Sequence, residues 1–209
     1  MSFVNKQQWT RLERWSANIF FISGGLWLLG TVSLVVNRFL GGTEVTILLE
    51  GVSFVIALVA TAIGILGLYS RLSDQTPRLA VAGVGGIAAA VGGLVLTILL
   101  SVVMASDSGL LDGLFVVSIF ALLFGFLLFG IASVQAAVPS RVVGLLLLGV
   151  AGISGTWVVV NVALGFEPPD WLISTLAAAI TVDTLAIGYL LRTAEVPSDR
   201  AEPSIDSAT

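Results

Sequence analysis

The sequence has no cysteine and no histidine among its 209 residues, and Lys6 is its single lysine. Without thiols there are no disulfides, thiolate metal sites or iron–sulfur clusters. Without imidazole there is no histidine-ligated metal and no Ser–His or Cys–His catalysis. We also find neither a P-loop nor a dinucleotide-binding glycine motif after a strand. The sequence therefore predicts a protein that is not an enzyme and that holds no cofactor and no metal.

Charge is also scarce. Charged residues make up 11% of the chain and hydrophobic residues 57%, whereas a typical soluble domain carries about 25% charged residues. The mean hydropathy is +1.07. So little charge cannot cover a globule in water, which makes lipid the solvent for most of the chain. The net charge of −4 disfavours nucleic-acid partners.

Six stretches have the roughly 20 mainly apolar residues that a membrane helix needs. They predict an all-α, polytopic membrane protein with six transmembrane helices between residues 17 and 192. Residues 1–16 are polar and are predicted to lie at the membrane interface. Residues 193–209 are acidic and contain two prolines, which predicts a disordered tail. The predicted spans are 17–37, 45–69, 79–105, 110–136, 142–165 and 171–191.

The basic residues predict the orientation, because short cytoplasmic segments carry an excess of Lys and Arg. If the six spans alternate, eight of the nine basic residues fall on one side and only Arg38 on the other. We therefore expect a cell-membrane protein with both the N-terminus and the C-terminus in the cytoplasm. The eight are Lys6, Arg11, Arg14, Arg71, Arg78, Arg141, Arg192 and Arg200.

The types of charged residue in the sequence indicate what kind of organism the protein comes from. Eight arginines against one lysine, with 13 acidic residues, indicate a halophilic and archaeal origin. A GC-rich genome is the competing explanation, because its codons favour arginine over lysine.

The second and third predicted spans resemble the fourth and fifth. A shift of 63 residues aligns four positions in each half: Gly67 with Gly130, Ser70 with Ser133, Arg78 with Arg141 and Gly86 with Gly149. Both copies would have the same orientation, which is a parallel helical-hairpin repeat. Chance matching of Gly and Ser in apolar sequence is the alternative.

Two cytoplasmic turns carry a family resemblance. They are the run Gly67-Leu68-Tyr69-Ser70-Arg71-Leu72, followed by Pro77-Arg78-Leu79, and the run from Val138-Pro139-Ser140-Arg141 to Leu146. These turns resemble those of uncharacterised multi-pass integral membrane proteins of haloarchaea and actinobacteria, over residues 58–152. The resemblance implies a fold and a lineage, and it supplies no activity, ligand or catalytic residue.

Two carboxyl groups lie well inside predicted spans, where a charge costs about 2.5–3.5 kcal/mol on insertion scales. Asp183 falls in the middle of the sixth span, and Glu50 lies near the outer end of the second. We expect Asp183 to be protonated, hydrogen-bonded or neutralised by a cation. Helical spacing predicts that both lie on stripes of small and hydroxyl residues that face other helices. Asp183 shares its stripe with Thr175, Ala179 and Ala186, and Glu50 with Thr46, Ser53, Ala57, Thr61 and Gly64.

These polar residues predict a cavity. Asn161 and Ser101 fall at the depth of Glu50, and Thr97 lies a little deeper. With Asp183, Glu50 and Thr175 they would form an ion- or substrate-binding site that opens outward and narrows towards Asp183. The alternative is structural, in which each carboxyl only joins helices by hydrogen bonds.

The third span carries small residues along one face: Ala82, Gly86, Ala90 and Gly93. Such a face lets two backbones approach closely, so we predict a helix-packing seam inside the bundle or between protomers of a homo-oligomer.

Three functional classes remain. The first is a small proton- or cation-linked transporter or channel-like protein that uses Asp183. The second is a non-catalytic membrane subunit or scaffold that stabilises a larger complex with a membrane-protein partner. The third is an enzyme acting on lipid, which would lack every catalytic constellation considered above.

Overall fold

A computed structural model describes residues 3–104, 109–164 and 169–194, and all of its regular structure there is helical. Five helical segments are long and apolar enough to cross a membrane: Trp15–Phe39, Glu44–Ser73, Pro77–Ser101, Gly109–Ala136 and Asp170–Thr193. The prediction of an all-α fold with several helices long and apolar enough to cross a membrane is confirmed. The helices are α1 (Phe3–Phe39), α2 (Glu44–Leu66), α3 (Tyr69–Ser73), α4 (Pro77–Met104), α5 (Gly109–Ala136), α6 (Arg141–Leu164) and α7 (Asp170–Ala194).

Two boundaries differ from the predicted spans. The second predicted span ends as a regular helix at Leu66, and the short α3 follows after Gly67 and Leu68. The fifth span corresponds to α6, whose apolar part in Arg141–Thr156 is shorter than the other five segments. The structure therefore supports five or six membrane-spanning helices. The predicted interfacial segment is continuous with α1, and residues 195–209 of the predicted tail lie outside the described residues.

The turn between α1 and α2 is specified by local chemistry. Gly41 has a φ of 70°, a left-handed conformation that glycine adopts without steric cost. Thr43 caps α2: its side chain accepts a hydrogen bond from the backbone N–H of Thr46, whose hydroxyl in turn accepts one from the N–H of Thr43. This reciprocal capping satisfies two backbone donors that a helix start leaves free.

The helices form two layers. In the first, which we call the α1 layer, α1 packs closely against both α2 and α7. In the second, the α5 layer, α5 packs closely against both α4 and α6. The two layers touch each other less extensively, through α6 with α7 and through α2 with α4 and α5.

The two ends of the bundle differ in packing. The end that contains α3 has a continuous core in which Phe20, Ile65 and Phe129 are completely buried. The opposite end, which we call the Arg38 end, carries an ion pair between Arg38 Nη1 and Asp170 Oδ1 at 3.4 Å. This pair connects the last turn of α1 to the first turn of α7, within the α1 layer.

The outer surface is apolar. Large aliphatic side chains on several helices are more exposed than buried, among them Val45 at 72%, Leu48 at 68%, Val117 at 65% and Val182 at 64%. Contiguous apolar surface of this extent is rare on soluble monomers and marks a lipid or protein environment. The exterior therefore agrees with a chain embedded in a bilayer.

Candidate functional site

A cavity of about 310 Å³ lies between the two layers. Its walls come from α1 and α2 on one side, α5 and α6 on the other, and α7 where the layers meet. It extends from the Arg38 end, at Leu34 and Ile173, to the middle of the bundle, at Thr61 and Thr184. Leu122, Phe126 and Val150 belong both to the cavity wall and to the packed core, which continues from there to the α3 end.

The lining of the cavity is apolar. Nineteen of the described residues line it, and three of these, Thr61, Ser154 and Thr184, carry a hydroxyl. Thr61 donates to the Ala57 carbonyl oxygen at 2.8 Å, and Thr184 donates to the carbonyl oxygen of Ile180 at 2.7 Å. Within the described ranges the lining contains no charged side chain. It therefore provides few ligands for an ion and a largely apolar surface on which an apolar molecule can bind.

Asp183 lies beside this cavity and not in its wall. On α7 it stands between Val182, which is 64% exposed, and Thr184, which is 1% exposed and lines the cavity. A methyl group added at Gly149 of α6 would lie 3.6 Å from Asp183 Oδ2. The carboxyl is partly exposed, and no described residue forms a hydrogen bond or an ion pair with it. Asp183 thus marks the boundary between the two layers at α6 and α7.

Glu50 belongs to a different place. Its Oε2 accepts a hydrogen bond from Nδ2 of Asn37 at 2.6 Å. Asn37 Oδ1 in turn accepts from the Thr46 hydroxyl, which is part of the α2 cap. Glu50 therefore joins the end of α1 to the start of α2, which agrees with the structural alternative for this residue.

The other candidate residues are scattered. Thr175 is exposed and donates to its own helix, at the Trp171 carbonyl oxygen, at 2.7 Å. Ser101 is exposed and bonds to Ile98, and Thr97 bonds to Gly93. Asn161 lies on α6, but its side chain falls outside the described residues. The structure therefore does not assemble the predicted polar cavity: Asp183, Glu50 and Thr175 face different surroundings, and α4 contributes no described residue to the cavity wall.

Hydroxyl groups connect the helices of the α1 layer. Ser23 Oγ lies 2.6 Å from Thr61 Oγ1, and the Trp27 indole donates to the same oxygen at 3.2 Å. Thr31 Oγ1 lies 3.2 Å from Thr181 Oγ1 on α7. The predicted stripe on α2 faces these groups, since Ser53, Ala57, Thr61 and Gly64 are buried.

The α1 side of these contacts was missed from the sequence. Ser23, Trp27 and Thr31 recur every four residues, a spacing that places them on one face of a helix. That periodicity is the signal that would have found them. These bonds make the α1 layer a cohesive unit beside the cavity.

The glycine face of α4 packs against α5. A Cβ atom at Gly86 would lie 3.0 Å from the Ala121 carbonyl oxygen and 3.1 Å from the Gly125 nitrogen, and Ala90 is completely buried. A Cβ atom at Gly93 would overlap the Ser118 hydroxyl. Ala82, in contrast, is exposed, and Gly83 contacts α5 in its place, at Phe129. The seam lies inside the bundle, within the α5 layer.

The size of the cavity is that of a small binding site. Its volume of about 310 Å³ lies at the lower end of the range for ligand pockets, about 300–1,000 Å³. No family model matches the chain, and neither a curated protein nor a solved structure matches it.

Proposed function

We propose that this integral membrane protein is a small transporter in which Asp183 binds a proton or a cation and the two layers move against each other. The observation that carries the proposal is the one-sided cavity: it separates the layers at the Arg38 end, while the core closes them at the α3 end. A binding site that is open to one side and sealed on the other suits alternating access. The proposal assigns no catalytic role to the chain.

Asp183 supports this function by its place at the boundary. It lies one residue from the cavity wall and faces Gly149 of the opposite layer. A carboxyl group inside a membrane helix without an internal cation is a marker of ion or proton pathways. Because Asp183 meets the α5 layer at a sparse contact, its charge state would affect how closely α6 and α7 approach.

The test compares Asp183→Asn with the wild type. Asn has nearly the same size and can hydrogen-bond, but it cannot ionise. We expect the unfolding temperature of the purified wild type to depend on pH or on cation concentration, and that of Asp183→Asn to be flat. Glu50→Gln is the matched control, because it removes another carboxyl from a membrane helix and should keep the wild-type dependence. Identical profiles for Asp183→Asn and the wild type would refute the proposal.

One observation favours the second functional class, the scaffold. Asp183 is partly exposed, and Ala179 and Ala186 lie on the same face of α7. A helix of a partner protein could approach this small-residue face and donate a hydrogen bond to the carboxyl. In that case Asp183→Asn should retain a stoichiometric partner during purification from native membranes, and Asp183→Leu should lose it. A transporter predicts no such partner in either sample.

We also propose that both termini lie in the cytoplasm. Arg71, Arg78, Arg141 and Arg192 flank helix ends at the α3 end of the bundle, whereas Arg38 is paired with Asp170 at the other end. The cysteine-free chain makes the test direct. In intact cells, Leu40→Cys in the α1–α2 turn should react with an impermeant maleimide, and Gln75→Cys after α3 should react only after lysis. The opposite pattern would reverse the orientation.

A further inference from the structure

The cavity is too large to be a packing defect and too apolar to hold water. Its volume of about 310 Å³ is roughly twice that of an engineered apolar cavity of about 150 Å³ that stays dry and binds benzene. A buried water needs two to four polar partners. Of the hydroxyls in the wall, those of Thr61 and Thr184 already donate to their own helices. An apolar occupant fits this lining, and a cluster of waters does not.

The shape of the cavity selects among apolar molecules. On α7 its lining runs from Ile173 to Thr184, and on α5 from Phe115 to Phe126. Eleven residues of helix correspond to about 16 Å at a rise of about 1.5 Å per residue. Spread over that length, the volume of about 310 Å³ gives a mean cross-section of about 19 Å². A circular channel with this cross-section is about 5 Å wide, which is more than the contact distance of carbon atoms, about 4 Å, so a hydrocarbon chain can enter it lengthwise.

Both ends of the cavity are suited to such a chain. Leu34 and Ile173 line its outer end, and each lies about one helical turn from a member of the Arg38–Asp170 pair. Both charged side chains are nearly half exposed, at 47% and 46%, which puts this end next to water or headgroups. The inner end stops at the packed core. A polar headgroup would therefore remain at the charged pair while the chain extends inward.

We infer that the cavity is a binding site for a hydrocarbon chain of a membrane lipid, with the headgroup at the Arg38–Asp170 pair. The chain has a route from the bilayer, because Phe115 lines the cavity and is also 50% exposed. This inference concerns binding only. It needs neither transport nor ionisation of Asp183, and it goes beyond the proposed function by naming the class of molecule that the cavity takes.

Because Trp27 lies in the cavity wall, its fluorescence can report whether a lipid chain occupies the cavity. The parent protein keeps Trp27 and has the other four tryptophans replaced by Phe; these are Trp9, Trp15, Trp157 and Trp171. It is reconstituted in vesicles of phosphatidylcholine with one acyl chain brominated at mid-length, and in the same lipid without bromine. Bromine quenches indole fluorescence on contact. We expect strong quenching of Trp27 in the brominated vesicles.

Two variants on α7 separate the cavity from the surrounding lipid. Ala177 lines the cavity and is 8% exposed, whereas the neighbouring Ala178 is exposed on the outside. Ala177→Phe should fill the cavity and remove the part of the quenching that is due to the bound chain. Ala178→Phe should be quenched as strongly as the parent. Ser154→Leu, on the α6 wall, repeats the test from the opposite layer if Ala177→Phe does not fold.

The outcomes distinguish a lipid chain in the cavity from lipid around the bundle and from a free fatty acid. Equal quenching in the parent, Ala177→Phe and Ser154→Leu would overturn the inference, because the bromine contact would then come from lipid around the bundle. Quenching by a brominated free fatty acid in unbrominated vesicles, without quenching by the brominated phospholipid, would overturn the assignment to a membrane lipid. Asp183→Asn in the same background should be quenched like the parent. A flat pH and cation response in the wild type, together with full quenching, would refute the proposed transporter and leave the lipid site standing.

Discussion

One methyl group on α6 provides a sensitive test of how the α5 layer is packed. The Cβ atom of Gly144→Ala would lie 2.7 Å from the backbone nitrogen of Val134 and 2.9 Å from the carbonyl oxygen of Gly130. Both atoms belong to the backbone of α5, so no side chain can rotate away. Gly152 lies on the same helix, and nothing stands within 4 Å of a Cβ atom added there. The substitution is the same at both sites. What differs is whether the backbone of a neighbouring helix lies close to the added Cβ atom.

The magnitude follows from two opposing terms. Overpacking of a close contact costs about 1–3 kcal/mol, while replacing Gly by Ala inside a helix gains about 0.5–1 kcal/mol. We expect Gly144→Ala to lose about 1–2 kcal/mol net, since α5 and α6 must separate and give up dispersion contacts along their length. Gly152→Ala should show only the stabilisation of about 0.5–1 kcal/mol that Ala gives inside a helix. For a protein of this size each kcal/mol moves the Tm by about 2–4 °C.

Thermal unfolding in a single detergent, followed by circular dichroism, measures the difference. Gly144→Ala should melt a few degrees below the wild type, and Gly152→Ala at or above it. Equal Tm values, or a lower value for Gly152→Ala, would show that the α5–α6 contact is not close, and the packing argument for the α5 layer would fail with it.

Three further predictions use the same assay. Gly86→Leu should destabilise the protein by about 1–3 kcal/mol because its side chain meets the α5 backbone. Leu99→Phe should be nearly neutral because Leu99 is 58% exposed, and equal effects would show that the glycine face of α4 is not a packing seam. Glu50→Gln should retain the Asn37 contact and the wild-type Tm, whereas Glu50→Leu should cost about 0.5–1.5 kcal/mol by removing this part-buried hydrogen bond; the reverse order would contradict this network. Arg38→Ala should change stability by less than about 1 kcal/mol, because its ion pair with Asp170 is half exposed, and a larger loss would mean that the pair is essential to the bundle.

Hydropathy alone was enough to predict most of the helices. Apolar runs of this length have few alternatives to a membrane helix, since every backbone polar group must be satisfied within the segment. Local chemistry also marks the α1–α2 turn, where Gly41 and Thr43 have the residue types that a left-handed turn and a helix cap require. The break after Leu66 was missed, because the run through Tyr69 remains apolar.

The candidate site was predicted less well. Helical spacing correctly put Ser53, Ala57 and Thr61 on the face of α2 that packs against another helix. It could not show that Glu50 would find Asn37 on α1, or that Asp183 would face Gly149 on α6. Depth along a helix was read from residue counts, but the side of the helix that each carboxyl faces depends on which helices are neighbours.

The sequence by itself determined the apolar character of the chain, the class of secondary structure and the place of most long apolar segments, because these depend on composition and on runs within one stretch of chain. The tertiary structure decided the division into two layers, the apolar cavity between them and the place of Asp183 beside it. These features arise from contacts between helices far apart in the sequence, such as α1 with α7. Their pairing is set by the close fit of small residues such as Gly144 and Gly188 against neighbouring backbones, and that fit is a property of the packed surfaces and not of any single helix.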